Sequence, residues 1–428
     1  MLPKGWKRST LGDCTKLLSG STPSKERQDY WSGEFPWVTV KDMKTPWLLR
    51  TGLTLTQAGK AAASVAPANS ILVVTRGMAL LKDLPISLAM RDVAFNQDIK
   101  AIVPNQGLDA RFLAYQLQSK KHAVLDMVDT AGHGTGKLDT DLLKSVDLVM
   151  PPIQEQRRIA EILSTWDQAI ATAERLLSNS RTQWHALLGI TLHLPSANPD
   201  ASSPSDNGGF PASVQPGIPK LPPAATGWRR IQLRDHLREV RRPVALKDDE
   251  SYTLVTVKRS RGGVALREVL RGNEVKTPTQ FHVRTGDFLI SKRQIVHGAC
   301  GIVPPELDGA VVSNEYAVLN SDGEIDLRFL RYLSETRYLQ QTCFHSSIGV
   351  HVEKMIFKAD HWLNWPFNIP PLEQQHRIVH IMETASRELA SIAEQLKALK
   401  REKAALMSQL LTGKRRVKLQ DIETEVQA

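Results

Sequence analysis

The chain repeats one unusual phrase, and this repeat constrains its fold more than any other feature. The phrase is MPPIQEQRRIAEIL at residues 150–163 and IPPLEQQHRIVHIM at residues 369–382. Three further pairs of similar segments follow the same order, and the two members of each pair are separated by nearly the same stretch of chain. They are GWKRSTL and GWRRIQL at 5–11 and 227–233, VTVKDMK and VTVKRSR at 38–44 and 255–261, and DARFLAYQL and DLRFLRYLS at 109–117 and 326–334. Ordered repeats at a nearly constant spacing predict an internal duplication of one structural unit.

Each repeat begins with a part that mixes strand-like and helix-like segments. β-branched and aromatic runs such as FPWVTV and DFLISK are bounded by Gly, Pro or polar residues, which is typical of strands. DARFLAYQL and DLRFLRYLS instead have helical spacing of their apolar residues. The sequence therefore predicts two α+β domains, over residues 1–150 and 226–368.

Each repeat ends in a long segment with helical periodicity, over residues 151–193 and 369–414. Two prolines open each segment, and proline is favoured in the first turn of a helix. Apolar residues then alternate at steps of three and four, which is the spacing of a coiled-coil seam. A helix that only covers a globular core would have a broader stripe. The seam positions are Ile159, Leu163, Trp166, Ile170 and Leu177 in the first helix, and Ile378, Met382, Leu389, Ile392 and Leu396 in the second.

The predicted fold is α+β and internally duplicated, with two domains separated by an antiparallel two-helix coiled-coil spacer. Antiparallel pairing is favoured because each domain precedes its own helix, and parallel pairing would crowd two basic domains together. Residues 194–225 are rich in Pro, Ser, Gly and Ala and predict a flexible linker. Residues 415–428 are predicted to be a tail that follows the second helix.

Composition limits the class of protein. Lys and Arg number 55 against 45 Asp and Glu, a formal charge of +10, so an anionic partner is expected. The three cysteines are scattered, which favours a reducing compartment. The N-terminal residues MLPKGWKRSTLGD lack the apolar core of a signal peptide. Apolar runs such as ILVV fall far short of the ~20 residues of a membrane helix. We therefore expect a cytoplasmic protein that does not bind membranes.

Motifs for catalysis are poorly matched. AGHGTGKL at 131–138 resembles a phosphate-binding loop, but Ala131 replaces the first glycine and Leu138 replaces the hydroxyl residue that binds magnesium. We interpret it as a flexible loop that carries Lys137 toward DNA. QDIK at 97–100 has the Asp-x-Lys pattern of some nucleases, but a strand with an exposed charge is preferred. The histidines show no zinc-ligand spacing. We predict no catalytic residue, cofactor site or metal site, which favours a binding or organising subunit.

Two α+β domains that each end in the Pro-Pro phrase and a long helix resemble the specificity subunit of type I restriction–modification systems. The segment GSTPSKERQDYWSGEFPWVTVKDM at 20–43 is similar to the opening of that family's target-recognition domains. The second domain lacks this stretch, and its assignment depends on the repeats at Val255, Asp326 and Pro370. The resemblance covers essentially the whole chain.

The resemblance implies a function in which this chain does no chemistry itself. Each domain would read one half of a bipartite site in double-stranded DNA, and the paired helices would set the gap between the halves. Two methyltransferase subunits would dock on the helical spacer, and two motor-nuclease subunits would join them. These partners would bring S-adenosylmethionine, ATP and magnesium.

Basic residues in loops beside predicted strands are the candidate DNA contacts, because Lys and Arg bind guanine edges or phosphates. For any single residue, a solvated surface charge is an equally weighted alternative. Lys41 with Lys258 and Arg76 with Arg293 match at the repeat spacing, which favours these two pairs. The candidates are Lys25, Arg27, Lys41, Lys44, Arg76 and Lys137 in the first domain, and Lys258, Arg259, Arg261, Lys292 and Arg293 in the second.

Two other functions remain open from the sequence. One is a self-contained restriction endonuclease or methyltransferase, against which the missing motifs argue. The other is a scaffold protein that never binds DNA, which a steeply salt-dependent DNA affinity would exclude.

Overall fold

A computed structural model describes residues 2–130, 134–194, 214 and 218–418. The chain divides into two compact units: unit 1 contains residues 1–175 and 394–428, and unit 2 contains residues 176–393. Each unit therefore includes part of both long helices, whereas the sequence predicted a separate helical spacer. Residues 131–133 of the predicted loop, most of the predicted linker and residues 419–428 of the predicted tail lie outside the described residues.

Unit 1 is built from short strands, five short helices and parts of the two long ones. Its strands are β1 (Lys7–Thr10), β2 (Thr15–Ser19), β3 (Trp31–Val38), β4 (Trp47–Leu48), β5 (Leu53–Leu55), β6 (Val65–Ala66), β7 (Ile71–Val74), β8 (Arg76–Gly77), β9 (Ile86–Ala89), β10 (Val93–Phe95), β11 (Ile99–Pro104), β12 (Val128–Thr130), β13 (Gly136–Leu138) and β14 (Asp147–Met150). Its helices are α1 (Leu11–Cys14), α2 (Gln57–Ala61), α3 (Ala110–Ser119), α4 (Lys121–Leu125), α5 (Thr140–Lys144) and the first part of α6 (Ile153–Thr191).

Two sheets form most of unit 1. One has the strand order β5-β3-β10-β6, in which β10 pairs with β3 in parallel, and the other has the order β2-β11-β7-β9-β4. The four residues of β7 are all buried, as expected for a central strand with both faces covered. A third sheet, β12-β13-β8, and the pair β1-β14 complete the unit.

Unit 2 has a similar set of elements. Its strands are β15 (Arg229–Gln232), β16 (Leu237–Glu239), β17 (Pro243–Val244), β18 (Ser251–Val257), β19 (Val264–Arg271), β20 (Gln280–His282), β21 (Phe288–Ser291), β22 (Cys300–Ile302), β23 (Val311–Ser313), β24 (Tyr316–Ser321), β25 (Ser347–Ile348), β26 (Ile356–Phe357) and β27 (Pro366–Ile369). Its helices are the last part of α6, α7 (Leu327–Leu333), α8 (Arg337–His345), α9 (Ala359–Trp362) and the first part of α10 (Leu372–Leu411).

The sheets of unit 2 repeat those of unit 1 strand by strand. The order β17-β20-β23-β18-β19 corresponds to β6-β10-β3-β5 with one added strand, and β23 again pairs with β18 in parallel. The order β16-β24-β21-β22 corresponds to β2-β11-β7-β9. The α+β class and the internal duplication predicted from the sequence are thereby confirmed.

The long helices run antiparallel, as the contacts inside each unit show. In unit 1, Ile159 and Leu163 near the start of α6 share a hydrophobic core with Leu410 near the end of α10. In unit 2, Leu188 near the end of α6 shares a core with Met382 near the start of α10. The predicted seam positions all lie on covered faces of these helices. Ile159, Leu163, Leu177, Ile378, Met382 and Ile392 are buried, and Trp166, Ile170, Leu389 and Leu396 are half-buried.

A buried glutamine explains why the repeated phrase keeps Gln after its two prolines. The Gln156 side chain accepts a hydrogen bond from the backbone N–H of Asp109 at 2.9 Å, and Asp109 is the N-cap of α3. Its amide nitrogen donates to the carbonyl oxygens of Gly107 at 3.0 Å and Pro151 at 2.8 Å. One side chain therefore joins the start of α6 to the start of α3.

Unit 2 repeats this arrangement with Gln375. Its side chain accepts from the backbone N–H of Asp326, the N-cap of α7, at 2.8 Å. It donates to the carbonyl oxygens of Glu324 at 2.9 Å and Pro370 at 3.0 Å. The repeated Pro-Pro and Gln residues thus attach each long helix to the domain that precedes it.

Unit 1 has a second attachment, made by the segment that follows α10. The carboxylate of Glu155 is buried and accepts a hydrogen bond from the indole N–H of Trp6 at 3.0 Å. The Arg416 guanidinium donates to both oxygens of the same carboxylate, at 2.9 and 3.2 Å. Arg416 thus supplies the counter-charge for a carboxylate that burial would otherwise destabilise.

Candidate nucleic-acid interface

In unit 1, two predicted DNA contacts lie side by side on neighbouring strands. Arg76 of β8 is directly opposite Lys137 of β13, and Asp129 of β12 is opposite Lys137 on the other side. Arg76 and Lys137 are exposed, and neither forms an ion pair within the described part of the chain. Like charges on directly opposite residues destabilise a strand pair. Asp129 offsets part of this repulsion from the other side of Lys137, and the two exposed cations together present a surface suited to an anion. Lys137 lies in a strand, and the prediction of a flexible loop at this residue was wrong.

The segment that carries Lys25 and Arg27 is fixed beside the end of β10. A Cβ on Gly20 would lie 2.0 Å from the carbonyl oxygen of Asn96, so this close backbone approach requires glycine. The Arg27 guanidinium donates to both oxygens of Asp29, at 2.8 and 2.7 Å. This pair raises the pKa of Arg27 and lowers the pKa of Asp29. Lys25 is exposed, and no ion pair involves it among the residues with described positions.

Lys41 and Lys44 lie in the turn that follows β3. A capping box between Thr39 and Asp42 fixes this turn, with the Asp42 carboxylate accepting from the Thr39 backbone N–H at 2.8 Å. Both lysines are exposed. The turn therefore presents two cations next to the strand that ends at Val38.

In unit 2, Lys258 and Arg259 follow β18 as Lys41 follows β3. Lys258 is exposed. Arg259 donates to the Gln294 side chain at 2.8 Å and forms an ion pair with Glu353 at 3.3 Å. The two units therefore place cations after equivalent strands, but Arg259 is already paired.

The other three candidates of unit 2 are bound to neighbouring acidic residues. Arg261 is largely buried, donates to the carbonyl oxygen of Ser334 at 3.0 Å and lies 3.4 Å from Glu335. Lys292 pairs with Glu239 at 3.2 Å, and Arg293 forms an ion pair with Glu315. The Arg261 side chain thus has a structural role, since its Nε lies between Ser334 and Glu335 and the side chain is only 18% exposed. No sequence signal indicated these pairs, because the partners lie on distant segments of the chain.

Where the helices pair in unit 1, a polar cluster interrupts the apolar seam. The Lys403 ammonium lies 2.5 Å from the Asp167 carboxylate, and their side chains are only 14% and 19% exposed. The Tyr115 hydroxyl donates to Asp167 at 2.6 Å. Burial and this hydrogen bond raise the pKa of Tyr115. Lys403, which breaks the apolar pattern in the sequence, is therefore paired in the fold.

Unit 2 has a different pair at the equivalent position. The Trp184 indole N–H donates to the Ser386 hydroxyl at 3.0 Å. Trp184 and Ser386 occupy the repeat positions of Lys403 and Asp167, at the spacing of the repeated Pro-Pro phrase. The helix pairing is therefore ionic in one unit and neutral in the other. Docking of a partner protein on these helices stays a prediction.

Replacing Lys403 with methionine is expected to lower the free energy of unfolding by about 2–4 kcal/mol, because it leaves the Asp167 charge enclosed with one neutral donor. Adding Asp167→Asn should recover most of that loss, since both charges are then absent. Chemical denaturation of the full chain measures both changes. The matched control is Lys400→Met, whose partner Glu174 lies 2.6 Å away on the surface, with an expected loss below about 1 kcal/mol. Equal losses for the two single variants would contradict an enclosed ion pair.

The described residues show neither a metal-binding cluster nor a reactive thiol site. Groups of three or more His, Cys, Asp or Glu placed to hold a metal ion are absent from them. Cys300 and Cys343 are buried, and burial raises the pKa of Cys300 to about 11. In the same residues, no helix has the length and apolar character needed to cross a membrane.

Comparison with known proteins identifies a matching family. A family model described as the type I restriction modification DNA specificity domain matches residues 3–179 and 238–401. The specificity subunit of the type I restriction enzyme EcoR124I/EcoR124II from Escherichia coli is 32% identical over 165 residues, which are 38% of this chain and 40% of that subunit. The MjaIX specificity subunit of Methanocaldococcus jannaschii is 28% identical over 202 residues, 45% of this chain and 43% of that subunit. The chain thus aligns with about two fifths of the length of these curated relatives.

Other relatives match over nearly the whole chain at lower identity. The MjaVIII specificity subunit of Methanocaldococcus jannaschii is 20% identical over 434 residues, covering 97% of this chain and 94% of that one. The S subunit of a type I restriction-modification system from M. genitalium has a TM-score of 0.56 at 12% identity, over 95% of this chain and 96% of that chain. A chain from a solved type I R-M system has a TM-score of 0.53 at 18% identity, over 97% of this chain and 100% of its own length. At these identities, the structural likeness shows a shared fold.

Proposed function

The chain belongs to the type I restriction modification DNA specificity family, and we propose that it is the subunit that selects the DNA site for such a complex. This family of specificity subunits is non-catalytic. In the proposed function, each unit reads one half of a bipartite site in double-stranded DNA. The observation that carries the proposal is the side-by-side placement of Arg76 and Lys137 on β8 and β13, in a fold that occurs twice in the chain.

Two features support division of the reading between the units. The strand orders of the two main sheets of unit 1 recur in unit 2, so the two units share one basic architecture. The residues at the candidate contacts differ between the copies, since Arg76 carries no acidic partner in the described part of unit 1 and its counterpart Arg293 is paired with Glu315. Two modules that share a backbone fold but differ in their contact residues are suited to two different half-sites.

The proposal includes partners and a location. Methyltransferase subunits, with a stoichiometry of two, would dock on α6 and α10, and two motor-nuclease subunits would join them. The partners would hold S-adenosylmethionine, ATP and magnesium, and this chain would hold no cofactor. The complex would act in the cytoplasm, where its DNA substrate is found.

Methylation mapping tests the proposed function. Genomic DNA from cells with the gene should carry methylated adenines in one bipartite sequence, and deletion of the gene should remove them. Purified chain with its methyltransferase subunits should bind that sequence with a strong dependence on salt, because phosphate contacts release counterions. An unchanged methylome together with salt-independent binding would contradict a DNA-reading subunit. Methyl transfer by the chain alone would favour a self-contained methyltransferase instead.

Exchange of the first predicted domain, residues 1–150, tests the division between half-sites. Residues 1–150 are replaced by the corresponding first domain of another family member, and the junction falls just before the Pro-Pro phrase. Since Gln156 and its carbonyl partner Pro151 lie after the junction, α6 keeps its start. Methylome sequencing should then show one new half-site, one unchanged half-site and an unchanged gap. A change in both halves would contradict independent reading.

A further inference from the structure

The two units carry equivalent hairpins with different chemistry. In unit 1, β12 and β13 place Asp129 opposite Lys137. In unit 2, β25 and β26 place Ile348 opposite Ile356. Each isoleucine follows its charged counterpart at the spacing of the repeated Pro-Pro phrase. The cross-strand pair at this position is thus charged in unit 1 and apolar in unit 2.

Backbone contacts establish that the hairpins are equivalent in space as well as in sequence. In unit 1, the N–H of Leu138 donates to the carbonyl oxygen of Thr75 at 2.9 Å. In unit 2, the N–H of Phe357 donates to the carbonyl oxygen of Lys292 at 2.9 Å. Thr75 and Lys292 each follow the central strand of their sheet, β7 or β21, by one residue. Both hairpins therefore attach to the same edge of the same module.

The hairpin of unit 2 is fixed at its base, and three exposed apolar side chains lie on its strands and in its turn, beside the exposed Glu353 and Lys354. Phe357 is buried, and the Ser347 hydroxyl donates to the carbonyl oxygen of Cys343 at 2.8 Å. Ile348 is 56% exposed and Ile356 is 38% exposed. Val350, in the turn, is 95% exposed, the highest value for a large apolar side chain in the described part of the protein. A cluster of exposed apolar side chains on one rigid element indicates a binding surface.

The loops that contact this hairpin carry one exposed cation, Lys258, and two ion-paired cations, Arg259 and Arg293. The ion pair between Arg259 and Glu353 joins the turn of the hairpin to the loop that follows β18, where Lys258 is exposed. The bond to Lys292 joins the base of the hairpin to the turn that carries Arg293. The partner that fits is a polyanion with apolar groups on its surface. Double-stranded DNA meets this description, because each thymine presents a C5-methyl group in the major groove.

We propose that Ile348, Val350 and Ile356 of unit 2 contact thymine methyl groups in the half-site that this unit reads. The inference rests on the proposed function of the chain as a DNA-reading subunit. Unit 1 carries Asp129 and Lys137 at the equivalent strand positions, so its hairpin makes polar contacts instead. The copies would then differ in the kind of group they recognise.

Uracil-substituted DNA tests the inference on the unchanged protein. The full chain, purified with its methyltransferase subunits, is titrated against its recognised site with each thymine replaced in turn by uracil. This replacement removes one methyl group and keeps every hydrogen-bonding atom of the base. At one or more positions in the half-site of unit 2, affinity should fall about fourfold, the factor that corresponds to burial of one apolar carbon. Equal affinity for all thymine and uracil sites would overturn the inference.

Variants then assign the effect to the hairpin. Val350→Ser and Ile348→Ser should each lose the preference for thymine at the position that the replaced side chain contacts, because the apolar contact is lost on the protein side. The matched control is Leu266→Ser, since Leu266 is a 55% exposed apolar residue on β19 of the same unit. This control should keep the full preference for thymine. A preference that persists in both hairpin variants would place the methyl contact elsewhere and overturn the inference.

Two further outcomes separate this inference from its premise. If the unchanged complex binds no DNA sequence selectively, the proposed function fails. If selective binding is normal but Val350→Ser releases the methyltransferase subunits without changing the thymine preference, the hairpin is a protein-docking element. That result overturns the inference and leaves the proposed function intact.

Discussion

Replacing Gln156 with alanine is expected to lower the free energy of unfolding by about 3–5 kcal/mol, because each enclosed polar group that loses its partner costs about 1–3 kcal/mol. The change removes three hydrogen bonds and leaves a backbone N–H at Asp109 and carbonyl oxygens at Gly107 and Pro151 without their partner. Gln375→Ala should have a similar effect, because its three bonds in unit 2 are equivalent.

Chemical denaturation of the full chain measures these losses, and an adjacent glutamine provides the control. Gln154 lies in the same first turn of α6 but is exposed. Gln154→Ala should change the free energy of unfolding by less than about 0.5 kcal/mol, as is usual at a surface position. Comparable losses for Gln154→Ala and Gln156→Ala would show that the attachment to α3 does not cause the effect.

Replacing both Arg76 and Lys137 with alanine is expected to weaken DNA binding by about 10- to 100-fold at physiological salt, because two phosphate contacts are lost. If both side chains neutralise phosphates, the slope of log affinity against log salt should become shallower by about 2. The loss should be nearly the same for every DNA sequence tested, because phosphate contacts carry no sequence information. Titrations at several salt concentrations measure both quantities.

Two paired lysines of unit 1 provide the control for this double variant. Lys121 and Lys144 are bound to Asp83 and Asp141, at 2.6 and 2.9 Å. Lys121→Ala combined with Lys144→Ala removes the same formal charge, and the salt slope should stay within experimental error of the original. Removing Arg76 and Lys137 should change stability little, since it removes both the repulsion between the two cations and the attraction between Lys137 and Asp129. An equal fall in DNA affinity for both double variants would mean that net charge, and not this cation pair, determines binding.

The sequence predicted the parts of the fold that local chemistry determines. The prolines, the apolar seam and the repeated segments identified both long helices and the duplication, because each signal is carried by neighbouring residues. In the sequence, Gln156 was identifiable only as a residue that recurs in the repeated phrase. Its role depends on Asp109, 47 residues earlier, and no local pattern connects them.

The candidate site was less predictable because charge pairing is a tertiary property. Arg261 and Lys292 looked equivalent to free surface cations, yet Glu335 and Glu239 bind them from distant segments. Lys403 looked like a break in the seam, although the fold brings Asp167 to it across 236 residues. The hairpin of unit 2 was not predicted, because the exposure of Ile348 and Ile356 is a property of the fold and has no local sequence signal.

Unit 1 is formed from two separate stretches of the chain, and this affects when it can fold during synthesis. Its residues come from two separate stretches, 1–175 and 394–428, whereas those of unit 2 are continuous. A ribosome delivers residues in order, so every residue of unit 2 is synthesised before the second stretch of unit 1. Until Arg416 emerges, the carboxylate of Glu155 lacks its counter-charge and the apolar face of α6 around Leu163 lacks Leu410. Unit 2 can therefore fold before residues 394–428 are synthesised, whereas unit 1 cannot be completed until they are. A chain that is truncated before residue 394 would contain a folded unit 2 and an incomplete unit 1, which proteases could degrade.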